Sequence, residues 1–128
     1  MQRKIIITGV IFGMLSIILG AFGAHALKAI LTHEQLTSFE TGVRYQMYHA
    51  FFLFFVGSLK ELTLKTQKVI YNLVLGGVLL FSGSIYLLTT KNVTSIDFKI
   101  IGFVTPIGGF LLIFAWMVVL ITFFKKKS

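Results

Sequence analysis

The side chains able to do chemistry gather in four short stretches. These are Gly20-Ala21-Phe22-Gly23-Ala24-His25, Arg44-Tyr45-Gln46-Met47-Tyr48-His49, Phe81-Ser82-Gly83-Ser84-Ile85-Tyr86 and Thr105-Pro106-Ile107-Gly108-Gly109. Imidazole carries protons near neutral pH and ligates metals, so His49 is a candidate relay or ligand, and His25 with His49 could hold a haem or a metal between two helices. Arg44 could meet an anion, or snorkel to an interface and pair with Glu40 one helical turn away. Tyr45, Gln46, Tyr48, Ser82, Ser84, Tyr86 and Thr105 bring hydroxyl and amide groups able to bond a ligand, or one another across helices.

Other chemistries are missing from the pattern. There is no Cys, and the Asp and Glu together number only 4. No P-loop, dinucleotide fingerprint, nucleophile elbow or zinc-protease motif is present. Asp97 falls in a loop, and no carboxylate lies deep in an apolar run. That argues against a carboxylate-based hydrolase and an ion-coupled carrier, which needs an ionisable group at the midplane. No cofactor is called for, and the expectation is a protein that is not an enzyme.

The elements that must position these residues are apolar helices. The chain of 128 residues is 56% hydrophobic and 12% charged, against about 25% charged in a soluble domain, and its mean hydropathy is +0.91. So small a domain cannot hide that much apolar surface in its own interior, but a bilayer removes the difficulty. The formal net charge is +8. The Lys and Arg flank the apolar runs, as at membrane borders and unlike a nucleic-acid stripe, so no nucleic-acid partner is expected.

Three uncharged runs, Ile5 to Ala24, Val69 to Thr90 and Ile100 to Phe124, are long enough to cross a hydrocarbon core. A fourth, Tyr45 to Leu59, is too short alone, but it extends backward. Thr32 and Gln35 have capping-box spacing, and Leu36, Phe39, Val43 and Met47 share a helical face. The pattern predicts one helix over 33–59, its first turns at the membrane surface or packed on the others. The expected fold is all-α: a polytopic four-transmembrane-helix bundle, one domain over 1–128, with helices at about 5–24, 33–59, 69–90 and 100–124. Pro106 should kink the last helix, and Trp116 should fill space between helices or face lipid.

Orientation follows from charge. Arg3, Lys4, Lys60, Lys65, Lys68, Lys125, Lys126 and Lys127 fall on one side, and Lys28, Arg44, Lys91 and Lys99 on the other. The positive-inside rule puts the first group, and both termini, in the cytoplasm. The polar and Gly-rich stretches then share the outer half of the bundle, and the inner half reads as plain aliphatic and Phe surface. Ala24-His25-Ala26 has the form of a signal-peptidase site, but the run before it is longer than a usual leader and carries helix-packing glycines, Gly9 and Gly13, at GxxxG spacing. Asn92-Val93-Thr94 has the form of a glycosylation acceptor.

The four stretches, in order and with Trp116 beyond them, resemble the uncharacterised bacterial membrane family called domain of unknown function 423, or uncharacterised protein family 0382. The resemblance runs over almost the whole chain, and the Phe-rich second helix is the one departure. It implies a small protein of the bacterial plasma or inner membrane with a retained first helix, and it implies no activity. The leading expectation is a protein that binds a lipid, a small molecule or a membrane partner through its outer cluster. The alternatives are an oligomeric transporter or channel, its path enclosed by a homo-oligomer, and a His-ligated haem or metal enzyme.

Overall fold

The computed structural model describes residues 1–89 and 102–125. All the regular structure among them is helical. α1 covers Gln2–Leu27 and is not uniform. It is α-helical over Gln2–Ile17, π-helical over Ile18–Gly23 and α-helical again over Ala24–Leu27. α2 covers His33–Ser58, α3 Leu64–Thr89 and α4 Val104–Lys125. Thr90, Ile100 and the Asn92-Val93-Thr94 acceptor lie outside the described residues, as do Asp97 and the flanking charges Lys91, Lys99, Lys126 and Lys127.

Local chemistry sets the helix starts. At α2 the Thr32 hydroxyl accepts from Gln35 N at 3.1 Å, and the Gln35 side chain accepts from Thr32 N at 3.0 Å. This reciprocal capping box satisfies two backbone donors that the first turn leaves unpaired. α3 begins before the uncharged run: Thr63 accepts from Thr66 N at 3.2 Å, and Lys65, Gln67 and Lys68 continue the helix because straight-chain polar residues are good helix formers. The kink expected at Pro106 has no cause here. Pro106 is the third residue of α4, and a proline in the first turn lacks an N–H that has no intrahelical partner anyway. The irregular helix is instead α1, where the Gly20-Ala21-Phe22-Gly23 stretch is π-helical.

Three of these helices, α1, α3 and α4, are long and apolar enough to cross a membrane. α2 is not among them, although its buried residues run from Phe39 to Gly57. The packing explains the difference. α1 packs on α2, α2 on α3 and α3 on α4. α2 therefore lies between two helices, and its polar side chains can turn to protein. α1 and α4 instead expose many large apolar side chains, among them Val10, Met14, Phe110, Phe114 and Leu120. The common core joins Ile5 and Phe12 of α1 to Ala50, Leu53 and Val56 of α2, Ile70 and Val74 of α3 and Leu112 and Ala115 of α4.

The closest approach is between α3 and α4. A Cβ placed on Gly108 would lie 2.4 Å from Phe81 N and 2.9 Å from Gly77 O, and one on Gly77 would lie 3.2 Å from Gly108 O. These obstacles are backbone atoms, which cannot swing aside. Gly108→Ala is expected to destabilise the folded protein by at least ~2 kcal/mol, as overpacking does. Gly83→Ala, where an added Cβ meets nothing within 4 Å, is expected to be neutral or to stabilise by up to ~1 kcal/mol. Denaturant unfolding in mixed micelles checks the contrast, and equal effects would contradict the glycine crossing.

Candidate functional site

α2 meets its neighbours through a ladder of polar contacts. Gln46, 4% exposed, donates from Nε2 to the Phe12 carbonyl of α1 at 2.9 Å. Its Oε1 accepts from the Tyr86 hydroxyl of α3 at 2.7 Å. One amide thus ties three helices, and its orientation is fixed because a backbone carbonyl can only accept. Ser82 donates to the Gly42 carbonyl at 2.7 Å. The Tyr86 ring lies over Gly42, where an added Cβ would be 2.8 Å from it. On the other side of α3, the hydroxyls of Ser84 and Thr105 bond each other, linking α3 to α4.

His49 sits one turn beyond Gln46 and is also 4% exposed. Its Nδ1 lies 2.7 Å from the Tyr45 carbonyl, and its Nε2 lies 3.1 Å from the indole nitrogen of Trp116. The carbonyl can only accept and the indole N–H can only donate. The ring is therefore the neutral tautomer, with its proton on Nδ1. Trp116 packs against Phe52, centroids 4.3 Å apart, and is 53% exposed, as the sequence led one to expect, and its N–H in addition fixes the histidine.

Beside this pair a cavity of about 320 Å³ opens between α2, α3 and α4. Tyr45, His49 and Trp116 form one wall, and Phe81, Gly109, Leu112 and Ile113 form the rest. Tyr45 packs edge-on to Phe81, centroids 5.1 Å apart. Tyr45 is 40% exposed, and its hydroxyl has no hydrogen-bond partner among the described residues.

The candidate residues therefore separate. Gln46 and Tyr86 meet, Ser84 and Thr105 meet, Ser82 bonds Gly42, and Tyr45 and His49 share the cavity. Arg44, Tyr48 and His25 are exposed. Arg44 bonds the Thr41 hydroxyl at 3.0 Å, where a pairing with Glu40 was expected. With both His49 nitrogens engaged inside the protein, a ligand role for His49 would first have to break the Trp116 contact. No group of three or more His, Asp or Glu among the described residues could hold a metal.

The sequence reading missed polar contacts at the other end of the helices, which it took as plain. The hydroxyls of Thr8 and Tyr71 lie 3.0 Å apart, the Lys4 ammonium sits 5.3 Å from the Tyr71 ring centroid, and Gln2 donates to the Gly57 carbonyl. Only the presence of Thr8 and Tyr71 near the ends of apolar runs could have signalled them.

The family model described as Protein of unknown function (DUF423) matches residues 19–109, from the π-helical segment of α1 to the glycine pair of α4. The chain is 37% identical over 126 residues to the UPF0382 membrane protein YwdK of Bacillus subtilis, covering 97% of this chain and 98% of that one. It is 38% identical over 124 residues to UPF0382 membrane protein SH2409 of Staphylococcus haemolyticus, covering 97% and 98%. It is 34% identical over 128 residues to a UPF0382 membrane protein of Haemophilus influenzae, covering 100% and 99%. No solved structure matches the chain.

The His49 geometry makes a spectroscopic prediction. Imidazole ¹⁵N shifts of the protein in micelles are expected to show a protonated Nδ1 and an unprotonated Nε2. Trp116→Phe should move the Nε2 resonance and leave Nδ1 nearly in place. A proton found on Nε2 would contradict the contact.

Proposed function

This chain belongs to the DUF423 family of membrane proteins, and from that premise we propose that it is a non-enzymatic integral membrane protein that holds one lipid or lipid-like small molecule in the cleft beside His49. The observation that carries the reading is the cleft: about 320 Å³, walled by Phe81, Leu112, Ile113 and Trp116, with Tyr45 and His49 as the polar residues of its lining. Small-molecule sites have this character, with mostly apolar walls and a few placed polar groups, in volumes of about 300–1,000 Å³. The neighbouring polar side chains support it by being engaged elsewhere. Gln46, Ser82 and Ser84 bond backbone or side chains of other helices, so they hold the walls in place and do not compete for the ligand.

In this reading α2 is the fourth membrane span. Its 26 residues reach ~39 Å as a helix, and its buried Gln46 bonds α1 and α3. Both termini lie in the cytoplasm, where the positive-inside rule puts the richer set of Lys and Arg, and the His49 cleft then opens toward the outer leaflet. A channel or carrier reading needs a polar path, and the outer hydroxyl and amide groups instead close on one another.

The test is native mass spectrometry of protein released from its own membranes in mild detergent. A reproducible bound mass is expected on the wild type. Ile113→Trp, a change at a position 54% exposed that fills the cleft, is expected to remove that mass while the protein stays folded. A bare wild-type chain, or a set of bound masses none of which is lost on Ile113→Trp, would overturn the reading.

A further inference from the structure

A second cavity lies where α2 gives way to α3, well beyond the Trp116 turn of α4. It measures about 400 Å³ and is formed by the 61–66 segment and the last two turns of α4. Its lining is graded. Val118 and Ile121 form the apolar part, and Thr63, Thr66, Thr122, Glu61 and Lys125 form the polar part. A bilayer interface presents the same gradient within a few ångströms, from acyl chain to head group.

The hydroxyls are not equivalent. Thr122 donates to the Val118 carbonyl at 2.8 Å, which uses its hydrogen. Thr63 accepts from Thr66 N and donates to the Thr66 hydroxyl at 3.0 Å. The Thr66 hydroxyl has therefore received a hydrogen bond and keeps its own hydrogen to give. With the Lys125 ammonium, the cavity offers two donors to an acceptor-only group. The surroundings add charge of one sign: Lys60, Lys65 and Lys68 are exposed on the same segment, and the Glu61 carboxylate is the one acidic group among these residues.

We propose that this cavity is a head-group site for an anionic glycerophospholipid. The phosphate lies between the Thr66 hydroxyl and the Lys125 ammonium, and the first methylenes of an acyl chain lie against Val118 and Ile121. A phosphodiester fits because it is acceptor-only and negative, and charge-assisted hydrogen bonds to it are the strong ones. The site is separate from the His49 cleft and does not depend on it.

The experiment is native mass spectrometry of the full chain from nanodiscs holding equal amounts of phosphatidylglycerol and phosphatidylcholine with the same acyl chains. Preferential retention of phosphatidylglycerol is expected. Lys125→Gln should cut that retention about five-fold, as expected for one Lys near an anionic surface, and Thr66→Val should lower it. Lys125 is exposed, so its variant keeps the fold, which circular dichroism verifies. Ile113→Trp should leave phosphatidylglycerol retention unchanged. Equal retention of the two lipids would overturn the proposal, as would retention indifferent to both Lys125→Gln and Thr66→Val, or retention lost on Ile113→Trp. Displacement of the lipid by millimolar inorganic phosphate would assign the cavity to soluble phosphate and overturn the lipid as its occupant.

Discussion

The structure turns on one carbonyl and one amide. A polar group shut away from water costs free energy unless it finds a partner inside the protein. Gln46 meets that demand in both directions, toward Phe12 O on α1 and toward Tyr86 on α3. A carbonyl has two lone pairs. In an α-helix, Phe12 O already accepts from the Ser16 N–H, and the Gln46 amide takes the remaining position. The Ser16 hydroxyl, whose customary acceptor is that same carbonyl, is buried without a partner among the described residues. The contact that joins three helices thus leaves one hydroxyl without its usual acceptor.

Much else follows from placing so polar a helix in the middle. α2 can carry Gln46 and His49 because α1 and α3 flank it, and for the same reason it falls outside the helices apolar enough to be recognised as spans. α4 is drawn to α3 by the Gly77 and Gly108 crossing. That approach brings Trp116 within reach of His49 and Phe52, and the space left between the crossing and the indole is the cleft. The histidine is therefore positioned by packing on a neighbouring helix as well as by its own.

What the sequence made legible was local or periodic. The Thr32 and Gln35 cap could be read because both partners lie within one turn. That turns of the second, third and fourth polar stretches lie side by side could be read from helix lengths: Gln46 reaches Tyr86 and Ser84 reaches Thr105. Which residues face inward was also available in principle. Positions 42, 46, 49 and 53 follow the helical repeat and are buried, whereas 44, 48, 51 and 55 lie on the opposite face and are exposed. Grouping Arg44 and Tyr48 with Gln46 and His49 used depth without face. The rest depended on partners far apart in the chain. Phe12 with Gln46, Thr8 with Tyr71 and His49 with Trp116 are separated by 34, 63 and 67 residues, and nothing in one sequence states which distant turn will lie opposite. Pro106 was misread for a simpler reason: its effect depends on where the helix starts, and the uncharged run began earlier than α4 does.

The most direct test of the account is a double-mutant cycle on Gln46→Leu and Tyr86→Phe, read as unfolding free energy in mixed micelles. If the Gln46 amide joins α2 and α3 through the Tyr86 hydroxyl, the double variant should lose less than the sum of the single losses, by about 0.6–1.7 kcal/mol, the range of interhelical hydrogen bonds measured within membranes. Strictly additive losses would show that the two side chains do not interact, and would remove the contact from which the placement of α2 was derived.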